Sequence, residues 1–269
     1  MSQFLNDFSD AALTHAVKQN LYELFGDLKR WDKTDFYTSP SLQRWWTPVP
    51  YPWYTAALSL AMPADDETAT IQKTIEYFRM KGNDTFTWWL SEDVETSNWG
   101  AQLEANGLKP DRHTPGMAVS LAHLNEDFSC PDGLWISCLE DDAMIHTWSQ
   151  VFVEGYGLPH DWVPLIEDMM TNIGLSLPWQ CYYAAIGSKM VATAAVFYGA
   201  GVAGIQMVST LPEWRGKGIG GAVTLESLLD ARKMGCKVGI LQSSDMGYKI
   251  YQRLGFKEMC KMDHYYWQE

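Results

Sequence analysis

Three alternate glycines, Gly216, Gly218 and Gly220, stand in the run Arg215-Gly216-Lys217-Gly218-Ile219-Gly220-Gly221, immediately before a segment with helical spacing. Without side chains at those positions an anion can approach the main-chain amides, and the positive end of the helix dipole points to the same place. Arg215 and Lys217 add cationic charge at the rim, with Arg232 and Lys233 at the far end of the helix. The chemistry this pattern supports is capture of a phosphate group. The alternative is a surface turn that happens to be glycine-rich.

The spacing Gly216-x-Gly218-x-x-Gly221 also satisfies a dinucleotide fingerprint, and Asp245 lies roughly where a ribose-binding carboxylate is sought. That fingerprint places its first glycine directly at a strand end, whereas Thr210-Leu211-Pro212-Glu213-Trp214 intervene here. One further strand-helix-strand follows, too little for a doubly wound sheet, so a nicotinamide oxidoreductase is a distant reading. A Walker loop is excluded, because no Gly-Lys-Ser/Thr closes the run.

With these residues in place, Val208-Ser209-Thr210-Leu211-Pro212-Glu213-Trp214-Arg215-Gly216-Lys217-Gly218-Ile219-Gly220 resembles the strand, splayed turn and pyrophosphate loop of the GNAT acyltransferases. Ser244 to Phe256, with Tyr251-Gln252-Arg253-Leu254-Gly255-Phe256, resembles their closing helix. The detailed resemblance covers about Ala184 to Phe256, and Leu134 to Asn172 matches only in its strand-helix-helix order. It implies an α+β fold: a central mixed sheet flanked by helices and split by a bulge after Val208, with acetyl-CoA in the split. It also implies direct attack of an amine on the thioester in a ternary complex. Val208 would polarise the carbonyl through its amide, and Tyr251 would protonate the leaving thiolate. The coenzyme would lie along Val208, Ser209 and Thr210 and over Arg215 to Gly221. Ser244 stands where the family commonly carries an asparagine.

The physical demands of those roles agree with the residue types. A fixed amide aimed at the developing oxyanion is worth roughly 3 kcal/mol, and a phenol of pKa ~10 is protonated at neutral pH and can supply a proton. A base is less evident. Gln206 occupies a position where a carboxylate could stand, and an amide does not accept protons. Glu154 and His160, flanking Gly155-Tyr156-Gly157, come from the region that forms the acceptor wall in this fold, and Glu154 is taken as the candidate. Glu213 reads as a loop charge. The six histidines have no ligand-type spacing, so no metal is expected. A non-catalytic acyl-CoA-binding module is the alternative to an acetyltransferase.

The totals set bounds. A net charge of −13 with no basic stripe disfavours a nucleic-acid partner and weakly favours a cationic acceptor. Five cysteines without a Cys-x-x-Cys pair point to reduced thiols. The first residues lack basic and apolar signal regions, so the expected location is cytoplasmic. Met190 to Val208 carries no charge over the length of a membrane span, but Gly199, Gly201 and Gly204 interrupt it. It reads as a hairpin of Met190–Phe197 and Val202–Ser209.

The elements that must position the site follow from periodicity. Around the glycine loop stand the hairpin, a helix from about Gly221 to Met234, a strand Val238–Gln242, a helix from about Asp245 to Leu254 and one ending strand near Glu258 to Trp267. A strand near Leu134 and helices from about Asp141 to Glu154 and Trp162 to Asn172 precede them. Upstream, Asp10–Leu24 and Asp65–Met80 have helical faces, and Trp53–Leu60, Thr85–Leu90 and Met117–Leu121 are β-rich, with a short helix at Trp99–Ala105. The polar stretch Leu124–Gly133 is the expected boundary between two domains, 1–125 and 130–269.

Leu103-Glu104-Ala105-Asn106-Gly107-Leu108 repeats the helix, glycine stop and strand of Tyr251–Phe256, which suggests tandem copies. The first copy reads as degenerate: Met62-Pro63-Ala64-Asp65-Asp66-Glu67 brings three carboxylates where a cradle needs glycines, and Leu103 replaces the tyrosine. Such a unit would brace the active copy or shape its acceptor pocket. Trp45-Trp46 and Trp88-Trp89 could line that pocket or simply fill a core.

Overall fold

The computed structural model describes residues 4–63, 66–95, 97–111 and 114–269. The expectations for Met1–Gln3 and Asp65 fall outside them. The first part of the chain forms α1 (Asp10–Asp27), β1 (Asp35–Thr38), β2 (Leu42–Trp46), β3 (Ala56–Ser59), α2 (Glu67–Met80) and β4 (Thr85–Leu90). Next come α3 (Glu92–Glu95), α4 (Trp99–Ala105), β5 (Lys109–Pro110), β6 (Thr114–Ser120) and β7 (Leu134–Cys138). Helices α5 (Ile145–Tyr156) and α6 (Val163–Ile173) lead to β8 (Trp179–Ile186), β9 (Lys189–Gly199) and β10 (Val202–Thr210). The chain continues through α7 (Ile219–Lys233), β11 (Val238–Gln242), α8 (Tyr248–Leu254), β12 (Lys257–Met262) and β13 (His264–Gln268).

Two mixed sheets result. One has the order β12-β6-β11-β10-β9-β8-β7 and the other β1-β2-β3-β4-β13-β5. The compact unit built on the first comprises Met1–Asp27 and Pro115–Cys260; the second comprises Leu28–Thr114 and Lys261–Glu269. The expected division between residues 125 and 130 is therefore corrected, for two physical reasons. Strand β6 is hydrogen-bonded into the first sheet, with Val238 opposite Ser120 through to Gln242 opposite Gly116. The single ending strand expected at Glu258–Trp267 is two strands: β12 edges the first sheet, while β13 pairs with β4 in the second.

Helix α1 also belongs with the C-terminal half. Its buried Asn20 donates from Nδ2 to the Phe197 and Gly199 carbonyls at 3.2 and 3.0 Å, and Glu23 accepts from Ala200 N at 2.7 Å. The helix can lie this close because Gly204 has no side chain; a Cβ there would meet Asn20 Oδ1 at 2.1 Å. These bonds hold the turn of the β9–β10 hairpin, where Ala200 and Gly201 have φ of 51° and 73°. The uncharged run is thus two strands and not a membrane span, and among the described residues no helix is long and apolar enough to cross a membrane.

In the second unit Ile71, Ile75 and Phe78 of α2 pack on Phe86, Trp88 and Trp267. Trp45, Trp88 and Trp89 are buried, with Trp88 Nε1 donating to Ser59 Oγ at 2.8 Å. They fill the interior of their own unit.

A fragment of residues 130–269 lacks β6, which leaves β11 with an unpaired face in the middle of its sheet. It should show no cooperative thermal transition by circular dichroism, whereas the full chain should show one.

Candidate active site

Strand β10 has two neighbours over only part of its length. It pairs parallel with β11 from Ala203–Gly239 to Ile205–Leu241 and no further, while its antiparallel pairing with β9 runs on to Thr210–Ala192. The two strands therefore part after Ile205. At the apex Gln206 Nε2 donates to Gln242 Oε1 at 3.2 Å, and Gln242 Nε2 donates to the Val17 carbonyl at 3.3 Å.

A bulge accompanies the split. The β9 register jumps from Gln206–Ala195 to Ser209–Thr193, and Met207 has φ +52°, so the irregularity lies at Met207–Val208, earlier than the expected position after Val208. A non-glycine residue in this region is strained, and the buried Thr193 fixes it by donating from Oγ1 to the Met207 carbonyl at 3.0 Å.

Beyond β10 the chain turns through Pro212–Trp214, and Gly218, with φ +82°, caps α7 without a side-chain bond. Among the described residues no hydrogen bond occupies the main-chain N–H of any residue from Gly216 to Gly221. Six consecutive amides at the positive end of a helix dipole are thus without partners, an arrangement that can receive an anion.

The glycines serve different purposes. Gly216, at φ +75°, faces open space, and Gly220 points toward Thr210 Oγ1 and Val208 Cγ1 across 3.4 and 3.9 Å. Gly218 and Gly221 instead accommodate a strap: added Cβ atoms would meet the Ser129 carbonyl at 2.2 Å and the Phe128 ring at 2.1 Å. The polar stretch expected as a boundary supplies that strap, further tied by Asn125 Nδ2 donating to the Arg253 carbonyl at 3.0 Å.

The charges are distributed unevenly. Lys217 Nζ sits 4.4 Å above the Trp214 ring. Glu213 is paired with Lys189 at 2.8 Å, which holds its carboxyl below the usual range and offsets a charge that would repel an anion. Arg215 is engaged with the Thr210 and Gly155 carbonyls. Arg232 and Lys233 are not loose cations: Arg232 binds the Leu121 carbonyl and Glu126, and Lys233 binds Asp230.

Tyr251 is 9% exposed on α8, its ring 5.9 Å from that of Phe256 and close under Gly247. Burial pushes its phenol up to about 12. Leu254 is buried as expected, whereas Ile250 is only half-buried. Ser244 begins the turn into α8, its Oγ accepting from Gly247 N at 3.2 Å. Helix α8 therefore starts at Tyr248, later than the expected Asp245.

Ser209 is buried, its hydroxyl 3.3 and 3.2 Å from the Val151 and Phe152 carbonyls, so only its main chain faces the split strand. Glu154 and His160 are exposed. Thr193, Gln242 and Phe128 were not singled out by sequence; only Phe128, a lone aromatic in a polar stretch, carried a signal. Among the described residues no group of three or more His, Cys, Asp or Glu side chains could hold a metal.

A family model described as acetyltransferase (GNAT) domain matches residues 178–258, the stretch holding the split strands, the cradle and α8. Among curated proteins none is similar in sequence. Solved structures are similar in fold along almost the whole chain. A GCN5-related N-acetyltransferase from Kribbella flavida has a TM-score of 0.68 at 15% identity, covering 98% of this chain and 96% of its own. A GCN5-related N-acetyltransferase from Sphaerobacter thermophilus has a TM-score of 0.59 at 15% identity, covering 96% and 92%. A tandem GNAT protein from the clavulanic acid biosynthesis pathway has 0.59 at 14%, covering 98% and 96%. The α+β fold is that of the GNAT acetyltransferases, in tandem.

Gly218→Ala should lower stability by about 1–3 kcal/mol, because it combines an unfavourable φ with a backbone clash. Gly220→Ala should unfold within about 0.5 kcal/mol of the natural chain, since its Cβ enters ordinary contact. Urea melts of the two variants check the contrast.

Proposed function

We propose that this chain, with its acetyltransferase (GNAT) domain and tandem GNAT fold, is an N-acetyltransferase. In this reading it transfers acetyl from acetyl-CoA to a primary amine of a small molecule or peptide within a ternary complex. The observation that carries the reading is the row of unpartnered amides from Gly216 to Gly221, a matched receptor for a diphosphate. Lys217 stands at its rim, and the parted strands β10 and β11 leave the main chain of Val208, Ser209 and Thr210 for the pantetheine arm. Ser244, engaged in the turn into α8, would contribute from that turn.

The amine nitrogen attacks the thioester carbonyl carbon, and the carbonyl oxygen gains charge opposite the Val208 amide. The carbon–sulfur bond then breaks, and the departing sulfur takes the Tyr251 proton. A phenol near 12 is a weaker acid than usual; a thiolate desolvated in the same cleft is correspondingly a stronger base. The ammonium proton leaves through solvent with Glu154 as acceptor. A cytoplasmic location goes with this reading, and no metal, membrane or nucleic acid enters the scheme.

A second reading, an acyl-CoA-binding module without turnover, is favoured by one observation: both candidate bases, Glu154 and His160, are exposed to solvent. Thiol release from acetyl-CoA across polyamines, amino acids and aminoglycosides separates the two, since the module would bind coenzyme and release nothing.

Gly220→Asp directs a carboxylate toward Thr210 and Val208 and should weaken coenzyme binding at least about tenfold, or 1.4 kcal/mol, by calorimetry. Unchanged affinity would place the coenzyme elsewhere.

Tyr251→Phe should lower kcat about 10²-fold or more with coenzyme affinity retained. The working form of Tyr251 is the protonated one, so its contribution persists through the ordinary phenol range and is lost only as pH rises through about 12. A Tyr251-dependent fall in kcat centred near pH 10 would contradict the assignment.

A further inference from the structure

The acetyl-CoA reading leaves Arg215 to be explained, and we propose that it is a positioning residue coupling the diphosphate cradle to the end of α5 rather than a ligand of the diphosphate. This rests on that reading. Arg215 Nη2 donates to the Gly155 carbonyl at 2.7 Å, and Nε donates to the Thr210 carbonyl at 3.2 Å. Gly155 lies in the last turn of α5, where carbonyls have no partner four residues on and the helix dipole is negative. The neighbouring carbonyls of Val153 and Glu154 are capped by Leu158 N and Gly157 N, at 2.9 and 3.0 Å. The guanidinium thus completes a helix end that the backbone caps only in part.

The join is close. A Cβ at Gly155 would meet Ser209 Oγ at 2.0 Å, and that hydroxyl itself reaches the carbonyls of Val151 and Phe152. The last turn of α5 is therefore seated on Ser209–Thr210, and Arg215, the residue immediately before the cradle, extends the seat. The cradle's anion donors are its own amides. Ordering them around a diphosphate fixes the Arg215 main chain; its Nε anchors the guanidinium on the Thr210 carbonyl, and the single Nη2 bond to the Gly155 carbonyl steadies the helix turn carrying Glu154 and Tyr156. Coenzyme binding then prepares the acceptor-facing wall before the acceptor arrives, a coupling that is reciprocal in free energy.

Backbone amide hydrogen exchange on the full chain, with and without saturating coenzyme A, reads this directly. In the natural protein, exchange should slow at Ile219–Gly221 and, by about fivefold or more, at Gly157 and Leu158. In Arg215→Met the cradle amides should still respond to coenzyme A while Gly157 and Leu158 should not. A response at Gly157 and Leu158 that survives Arg215→Met overturns the coupling, as does a natural protein in which only the cradle responds. If the cradle amides themselves fail to respond in the natural protein, the coenzyme reading falls and takes the coupling with it. Should Arg215→Met not fold, Arg215→Gln, too short to span both carbonyls, must show a diminished response at Gly157 and Leu158.

Discussion

The site depends on one constraint: β10 keeps both neighbours as far as Ile205 and only one beyond it. Main-chain groups inside a sheet are satisfied by the next strand, and those past the parting must turn to side chains, water or a ligand. The chain meets part of that demand internally. Thr193 binds the bulged Met207 carbonyl, and the Gln206–Gln242 pair closes the apex. Beyond the parting, Ser209 and Thr210 keep only β9 as a strand neighbour, and the Thr210 carbonyl is taken by Arg215 Nε, directly before the unpartnered amides of the cradle. A long flexible thioester with a diphosphate at its far end suits such a strip, because the strip supplies hydrogen bonds and the cradle supplies charge complementarity.

Much of this was legible in the sequence because the signals are local. The uncharged run interrupted by Gly199 and Gly201 reads as a hairpin, and the positive φ of its turn falls on Gly201 and on its neighbour Ala200. Strand Val238–Gln242 occupies the expected residues, and α7 begins at Ile219, two residues before the expected start, because Gly218 rather than Gly220 adopts the left-handed cap. The repeat of helix, glycine and strand at Leu103–Leu108 and Tyr251–Phe256 holds as α4–β5 and α8–β12, with Gly107 and Gly255 at φ +90° and +103°.

What escaped depends on pairing between distant residues. The hairpin β1–β2 has the partly exposed pattern of an edge, where Arg44 lies over the Tyr77 ring at 3.9 Å instead of alternating with apolar residues. Strand β8 is buried nearly throughout and has no period to read. Nothing in the composition of β6 or β13 says which sheet will take it. The affiliation of α1 rests on Asn20, a polar residue whose burial makes sense only once the carbonyls of Phe197 and Gly199 are beside it. The role of Gly218 was half-read: its missing side chain was visible, but its φ of +82° and the Ser129 carbonyl that also demands a glycine, from some ninety residues upstream, were not.

The two halves share a plan and differ at one helix end. Each has an antiparallel pair leading into a parallel pair joined by a helix: β2-β3-α2-β4 in the second unit and β9-β10-α7-β11 in the first. In the second unit the parallel strands stay together to the end, from Ala56–Thr87 to Ser59–Leu90, and Ser91 N donates to the Ser59 carbonyl at 2.9 Å. No split opens there. Asp66 accepts from Ala69 N at 3.1 Å, so the start of α2 carries its own carboxylate cap. An anion approaching α2 meets a negative charge already bound, whereas at α7 it meets glycines and free amides. A side-chain carboxylate at the cap stabilises its own helix by roughly 0.5–2 kcal/mol. Leaving α7 without one forgoes that stability and leaves its first amides for the anion that the proposed reading places there.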